Sequence, residues 1–157
     1  MKKKHAVVGF MLLFLCSLVF IGVNLSGKIK EDVDLKNEII ETVEKSDEID
    51  FNQITNFEWD KMYIFTPYSN PKDILREDGI STRNSQFNIE YLDTINMIGF
   101  IKSDKLVAFV ELPLNYMETD LINSIFLSKE ESKFKISKDK KIILSGGYNY
   151  ENIISCK

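Results

Sequence analysis

Lys2, Lys3, Lys4 and His5 stand directly before an uncharged, strongly apolar run at residues 6–23, and this pairing constrains the chain more than any other feature. Wound as a helix, those 18 residues span about 27 Å at about 1.5 Å each, close to the thickness of a bilayer's hydrocarbon core. A cleavable signal has a shorter apolar core and small residues three and one positions before the cut. Here the exit reads Gly22-Val23-Asn24-Leu25-Ser26-Gly27, and its best cut, after Gly27, puts Leu25 at the third position back. Leu15 precedes Cys16, which does not suit a lipoprotein, and Phe14 stands where a prepilin carries glutamate. The residues favour an uncleaved anchor, with a cleaved signal as the alternative. The lysines before the run keep the N-terminus inside, whereas Lys28 and Lys30 beyond it are offset by Glu31 and Asp32. The expectation is a membrane helix within residues 1–27 and an extracytoplasmic domain over residues 28–157, or a secreted domain if the segment is cut.

The outer part is one domain in size, large enough for a core and too small to divide comfortably. It holds 17 Lys or Arg against 24 Asp or Glu, a formal charge of −7. That balance argues against nucleic acid or anionic lipid as a partner, because both demand a basic face. His5 is the sole histidine, and the cysteines are Cys16, inside the apolar run, and Cys156, next to last. In a membrane-spanning chain those two cysteines cannot pair with each other. Outside the membrane, therefore, no histidine is present for a triad, a Cys–His dyad or a histidine zinc site. No cofactor or metal is expected.

Patterning predicts an α+β domain with a mainly antiparallel sheet and one or two helices. Val33, Leu35, Ile39, Ile40 and Val43 form an apolar stripe, so residues 31–48 read as a helix. Residues 57–65 are rich in aromatic and branched side chains and read as a strand ended by Pro67, with Met62 and Ile64 opposite Tyr63 and Phe65. Asn70, Pro71, Asp73 and Gly79 punctuate a short helix over residues 71–77. Residues 94–101 and 106–112 form a hairpin around Lys102-Ser103-Asp104-Lys105, with Phe100, Phe109 and Val110 in the core. A second hairpin joins residues 134–136 to 142–144, and residues 121–127 lean to strand.

The stretch FEWDKMYIFTPYSNPKDIL at residues 57–75, followed by the apolar hairpin at residues 95–112, resembles small exported proteins of low-GC Gram-positive bacteria. Only Arg76 and Arg83 are arginine among 20 basic residues, a bias that fits such an AT-rich genome. The resemblance covers roughly residues 50–145 and implies an exported α+β domain; no activity or catalytic residue comes with it.

Chemical signals are weak. Ser-x-x-Lys occurs at Ser69–Lys72, Ser132–Lys135 and Ser137–Lys140, the spacing of penicillin-binding proteins, but without their companion motifs. Glu58 and Asp60 sit two apart, as a metal or a glycosidase pair would, yet acids beside a tryptophan more often lie on a solvated face. Ser145-Gly146-Gly147 reads as a turn. The remaining candidates for binding are Trp59, Asp60, Tyr63 and Tyr68, which exposed together would form a contact patch and otherwise belong to the core. Tyr148 and Tyr150 are a second, weaker pair. The function expected is a membrane-tethered interaction or sensing module that meets a protein or a cell-envelope component. The alternative is a surface enzyme using carboxylate or Ser/Lys chemistry.

Overall fold

The computed structural model describes residues 28–119 and 124–144. The expectations on residues 1–27, on Ser145-Gly146-Gly147, on Tyr148, Tyr150 and Cys156 and on residues 121–123 lie outside them. Among the described residues, no helix is long and apolar enough to cross a membrane.

The first element is helix α1 (Val33–Lys45). The Asp32 carboxylate caps it by accepting from the Leu35 amide at 3.0 Å. Leu35, Ile39 and Val43, four apart, recur on one face and are buried. The helix is shorter than the 31–48 read from its stripe, because Ser46 is already extended and residues 48–50 are needed as a strand. That strand, β1 (Glu48–Asp50), places Ile49 opposite Phe134. A single turn, α2 (Phe51–Ile54), follows, with the Asp50 carboxylate receiving the Asn52 amide.

Strand β2 (Lys61–Phe65) is the spine. The expected strand was longer, but residues 57–60 bend away to bury Trp59, and only the Asp60 amide reaches the neighbouring strand, at Ile101 O. Helix α3 (Pro71–Glu77) forms as its punctuation predicts, with the Asn70 side chain accepting from the Asp73 amide and Pro71 in the first turn. A 3-10 turn at Asn88–Glu90 precedes strands β3 (Ile95–Lys102) and β4 (Lys105–Pro113). Their two-residue turn is Ser103-Asp104, both at positive φ, 46° and 58°. That conformation matches the right-handed twist of the strands it joins. The chain then gives β5 (Met117–Thr119), β6 (Ile125–Ser128), a 3-10 turn at Lys129–Glu131, β7 (Lys133–Lys135) and β8 (Ile142–Leu144).

The main sheet has the order β4-β3-β2-β6 and every pairing in it is antiparallel. Met62 and Ile64 enter a core with α1, Trp59, Phe51, Phe100, Val110 and Leu127. Tyr63 and Phe65 enter a second core with Ile74, Leu75, Phe87, Met97 and Leu106. A side chain at Gly99 would crowd Leu106 Cδ1 at 3.2 Å and Phe65 Cε2 at 3.4 Å, so β3 lies close on that face. A bulge between Phe100 and Ile101 leaves Val107 exposed and keeps Leu106 and Ala108 on opposite cores.

The second expected hairpin is not one. Strand β7 pairs with β1, while β8 runs parallel to β5, and the two meet only at an Ile136–Ile142 bridge. Residues 137–141 close on themselves, Ser137 N donating to Lys141 O and Lys140 N to Ser137 O, so the flanking strands splay toward separate partners. The 121–127 segment contributes β6 from Ile125 onward.

Phe100 is fully buried and its ring meets Phe51, Phe57 and Trp59 at 5.4 to 6.0 Å between centroids. Phe100→Ala is expected to lower unfolding free energy by about 3–5 kcal/mol. Val107→Ala, at an exposed bulge position, is expected to change it by no more than about 0.5 kcal/mol. Urea titration followed by near-ultraviolet circular dichroism checks both.

Candidate functional site

The four binding candidates are distributed along and around β2 rather than gathered. Trp59 and Asp60 precede the strand and Tyr68 follows it, so about 16 Å of strand at about 3.3 Å per residue separates them. Trp59 is 1 % exposed. Its indole N–H donates to Thr55 Oγ1 at 2.9 Å, its ring sits edge-on to Phe100, and Lys129 Nζ lies 5.2 Å from its centroid. It is a core residue with a satisfied polar tip.

Asp60 is exposed and latches the hairpin turn. Its Oδ1 accepts from Lys102 Nζ at 2.7 Å and its Oδ2 from the Ser103 amide at 2.9 Å. The Lys102 hydrogen bond, helped by the Ser103 amide, holds the Asp60 carboxyl below its ordinary pKa. Glu58 lies 3.8 Å from the same ammonium, so the pair that resembled a two-carboxylate site shares one lysine. Tyr63 is buried, stacks on Phe65 at 5.8 Å, and donates its hydroxyl to Asp78 Oδ2 at 2.7 Å. Burial first, and the Asp78 carboxylate second, push its pKa far upward.

Only Tyr68 presents its ring to solvent as a contact residue would, at 66 % exposure. It occupies the third position of a turn closed by Ser69 N donating to Thr66 O, with Pro67 before it and φ at 62°. Glycine is the usual occupant of such a position, and a side chain there costs about 1–2 kcal/mol.

Around Tyr68 the loops at one end of the sheet converge. Its amide donates to Ile89 O, which fixes the 66–69 turn against the 88–90 turn. Ser69 Oγ lies 3.0 Å from Ser124 Oγ and 3.3 Å from Thr66 Oγ1. Leu114 N donates to Thr94 O, tying the loop after β4 to the entry of β3. Among the described residues six large apolar side chains are exposed, and four of them, Tyr68, Tyr91, Leu92 and Leu114, belong to these loops. Tyr91 is the most open at 78 %. Sequence reading passed over Tyr91, Leu92 and Leu114. The available signal was an apolar Tyr91-Leu92 pair between Glu90 and Asp93, in a stretch with neither helical nor strand period.

A buried carboxylate holds this end rigid. Glu111, 3 % exposed on β4, accepts from the amides of Asn88 and Ile89 and from Asn88 Nδ2. Glu31 in turn accepts from the Glu111 amide at 3.0 Å and pairs with Lys36 at 2.8 Å. Glu90 lies beside the rim with its Oε1 4.0 Å from Lys72 Nζ and without a hydrogen bond.

The Ser-x-x-Lys motifs are taken up locally. Ser69 belongs to the hydroxyl cluster while Lys72 turns to Glu90. Ser132 donates to Lys129 O and receives Asn52 Nδ2. Ser137 Oγ caps the Lys141 amide, and Lys140 Nζ donates to Ser46 O. Among the described residues no group of three or more His, Cys, Asp or Glu is placed to hold a metal ion. The chain matches no protein-family model, no curated protein and no solved structure.

Two outcomes follow for the sequence candidates. Tyr63→Phe removes one hydrogen bond from a buried ring and is expected to cost about 0.5–1.5 kcal/mol in unfolding titrations. The depressed folded-state pKa of Asp60 makes its contribution complete above the ordinary value of 3.8 and lost as pH falls through the lower folded value. The stability difference between the parent chain and Asp60→Asn should therefore shrink on acidification below that value. A constant difference down to acid unfolding would remove the Asp60–Lys102 latch from the account.

Proposed function

We propose that this chain is a membrane-tethered interaction module, with residues 6–23 as the anchor and the α+β domain held outside. The Tyr68, Tyr91, Leu92 and Leu114 rim is its contact surface. The observation that carries the reading is the collection of four of the six exposed large apolar side chains on adjoining loops. Isolated exposed apolar residues need no explanation, whereas a group of them on loops fixed by a rigid scaffold is how contact surfaces are built. Tyrosine supplies large area at small entropic loss, and its hydroxyl tolerates water until a partner arrives.

The strained backbone at Tyr68 supports the same reading. A left-handed non-glycine residue persists when its surroundings over-determine it, and such positions cluster at ligand contacts. The domain's formal charge of −7 makes the contact one of apolar area and hydrogen bonding rather than attraction to an acidic partner. The tether favours a partner that belongs to the cell envelope.

The test is in whole cells. A photoreactive phenylalanine analogue at position 68 or 91 should yield crosslinked adducts, and the same analogue at Lys135, on β7, should not. Equal yields at all three positions would sink the rim as the contact surface. Protease added to spheroplasts should digest residues 28–157 while the anchor stays with the membrane. A mature N-terminus near Lys28 would instead turn the tether into a cleaved signal.

A further inference from the structure

We infer that the aromatic rim rests in the interfacial layer of the membrane that anchors the chain, so that its contact partner is the bilayer's headgroup zone. The inference rests on the anchor reading of residues 6–23 and names the partner of the surface proposed above.

Little chain separates the apolar run from the folded domain. Only residues 24–27 intervene between Val23 and Lys28. Five Cα steps span at most about 18 Å, so Lys28 cannot leave the hydrocarbon edge by more than that. The headgroup layer takes up about 5–7 Å of this distance on each side of a bilayer. Lys28 is already part of the folded structure, its Nζ donating to Gln86 Oε1 at 2.8 Å, and Ile29 packs against the second core. At most about 11–13 Å of reach is then left beyond the headgroup layer, so the domain stays close to the surface.

Asp32 N donates to Phe109 O, while the Glu31 carboxylate receives the Glu111 amide. The entering segment is thus held to β4 at Phe109 and Glu111, in the half of that strand that ends at Pro113, from which Leu114 leads into the next loop. From Glu111 the buried carboxylate passes to the amides of Asn88 and Ile89, and Ile89 O receives Tyr68 N. Tyr91 and Leu92 follow directly in the chain. The entry point of the tether and the rim are hence one bonded unit at one end of the sheet.

The chemistry of that end suits the layer. Tyrosine side chains beside a membrane seat at the headgroup level, ring in the apolar side and hydroxyl in the wet side, and leucine adds apolar area below them. Glu90 and Asp93 flank Tyr91 and Leu92, which favours a zwitterionic surface and leaves binding without a salt-dependent electrostatic component.

The experiment uses the full chain carrying Cys16→Ser and Cys156→Ser, reconstituted in phosphatidylcholine vesicles. A single cysteine at Leu92→Cys or, at the opposite end of the β3–β4 hairpin, at the exposed Lys105→Cys carries an environment-sensitive fluorophore. The expected result is quenching at position 92 by lipids spin-labelled near the headgroup, with several-fold less quenching by aqueous iodide than at position 105. Adding Tyr68→Asp and Tyr91→Asp should restore iodide access at 92 without releasing the chain from the vesicles. Equal iodide access at both positions in chains that float with the vesicles overturns the inference and leaves the anchor standing. Shielding at 92 without lipid quenching also overturns it, since a second copy or another protein then covers the rim. Chains that fail to float with the vesicles overturn the anchor reading, and the inference with it.

Discussion

Met62 and Ile64 point to one face of the central sheet and Tyr63 and Phe65 to the other, all four nearly without solvent contact. A strand with two apolar faces needs cover on both, and no single layer can supply it. On one side the cover is α1 with the β1–β7 and β5–β8 pairs; on the other it is α3 with the loop running to Ile89. Each covering element has to return to β2 or its neighbours, which is why short two-stranded pairs serve where a second full sheet is not available. The small pairs are satellites of the spine rather than independent sheets.

The same constraint explains the carboxylate network. Covering the second core brings the 80–89 loop against β4, where the Ile89 amide is buried and the Asn88 amide partly so. Glu111 answers both with Oε1, and its Oε2 takes the Asn88 side-chain amide. A buried carboxylate is tolerable when several donors meet it, and here the donors would be orphaned without it. Glu111 is thus a structural acceptor, and it couples the edge strand to the loop that carries Tyr91 and Leu92.

Local chemistry made much of this legible in the sequence. The α3 punctuation, the first hairpin and the alternation across β2 each follow from a few adjacent residues whose preferences agree. What escaped was decided at long range. Nothing in residues 134–144 records that Phe134 pairs with Ile49, some 85 positions earlier, so a neighbouring apolar segment looked like the natural partner. Likewise, the aromatic cluster at residues 57–68 reads as a patch or a core depending on the fold of residues 95–112. Tyr68 alone reached the surface group, and its companions came from loops whose composition is unremarkable. Burial of Trp59 and Tyr63 follows from the need of two cores for large side chains.

The packing of residues 28–32 along β4 also has a mechanical side. Tension applied to the chain ahead of Lys28 arrives at the outer edge of the main sheet, through Ile29, the Glu31–Glu111 contact and the Asp32–Phe109 hydrogen bond. A pull on that segment meets two adjacent attachments on β4, Glu31 at the Glu111 amide and Asp32 at Phe109 O, before it reaches the helix. Helix α1, whose stability lies in three buried side chains on one face, stands behind that clamp and is spared. A load that enters this way reaches the β3–β4 hairpin first, the longest pairing among the described strands.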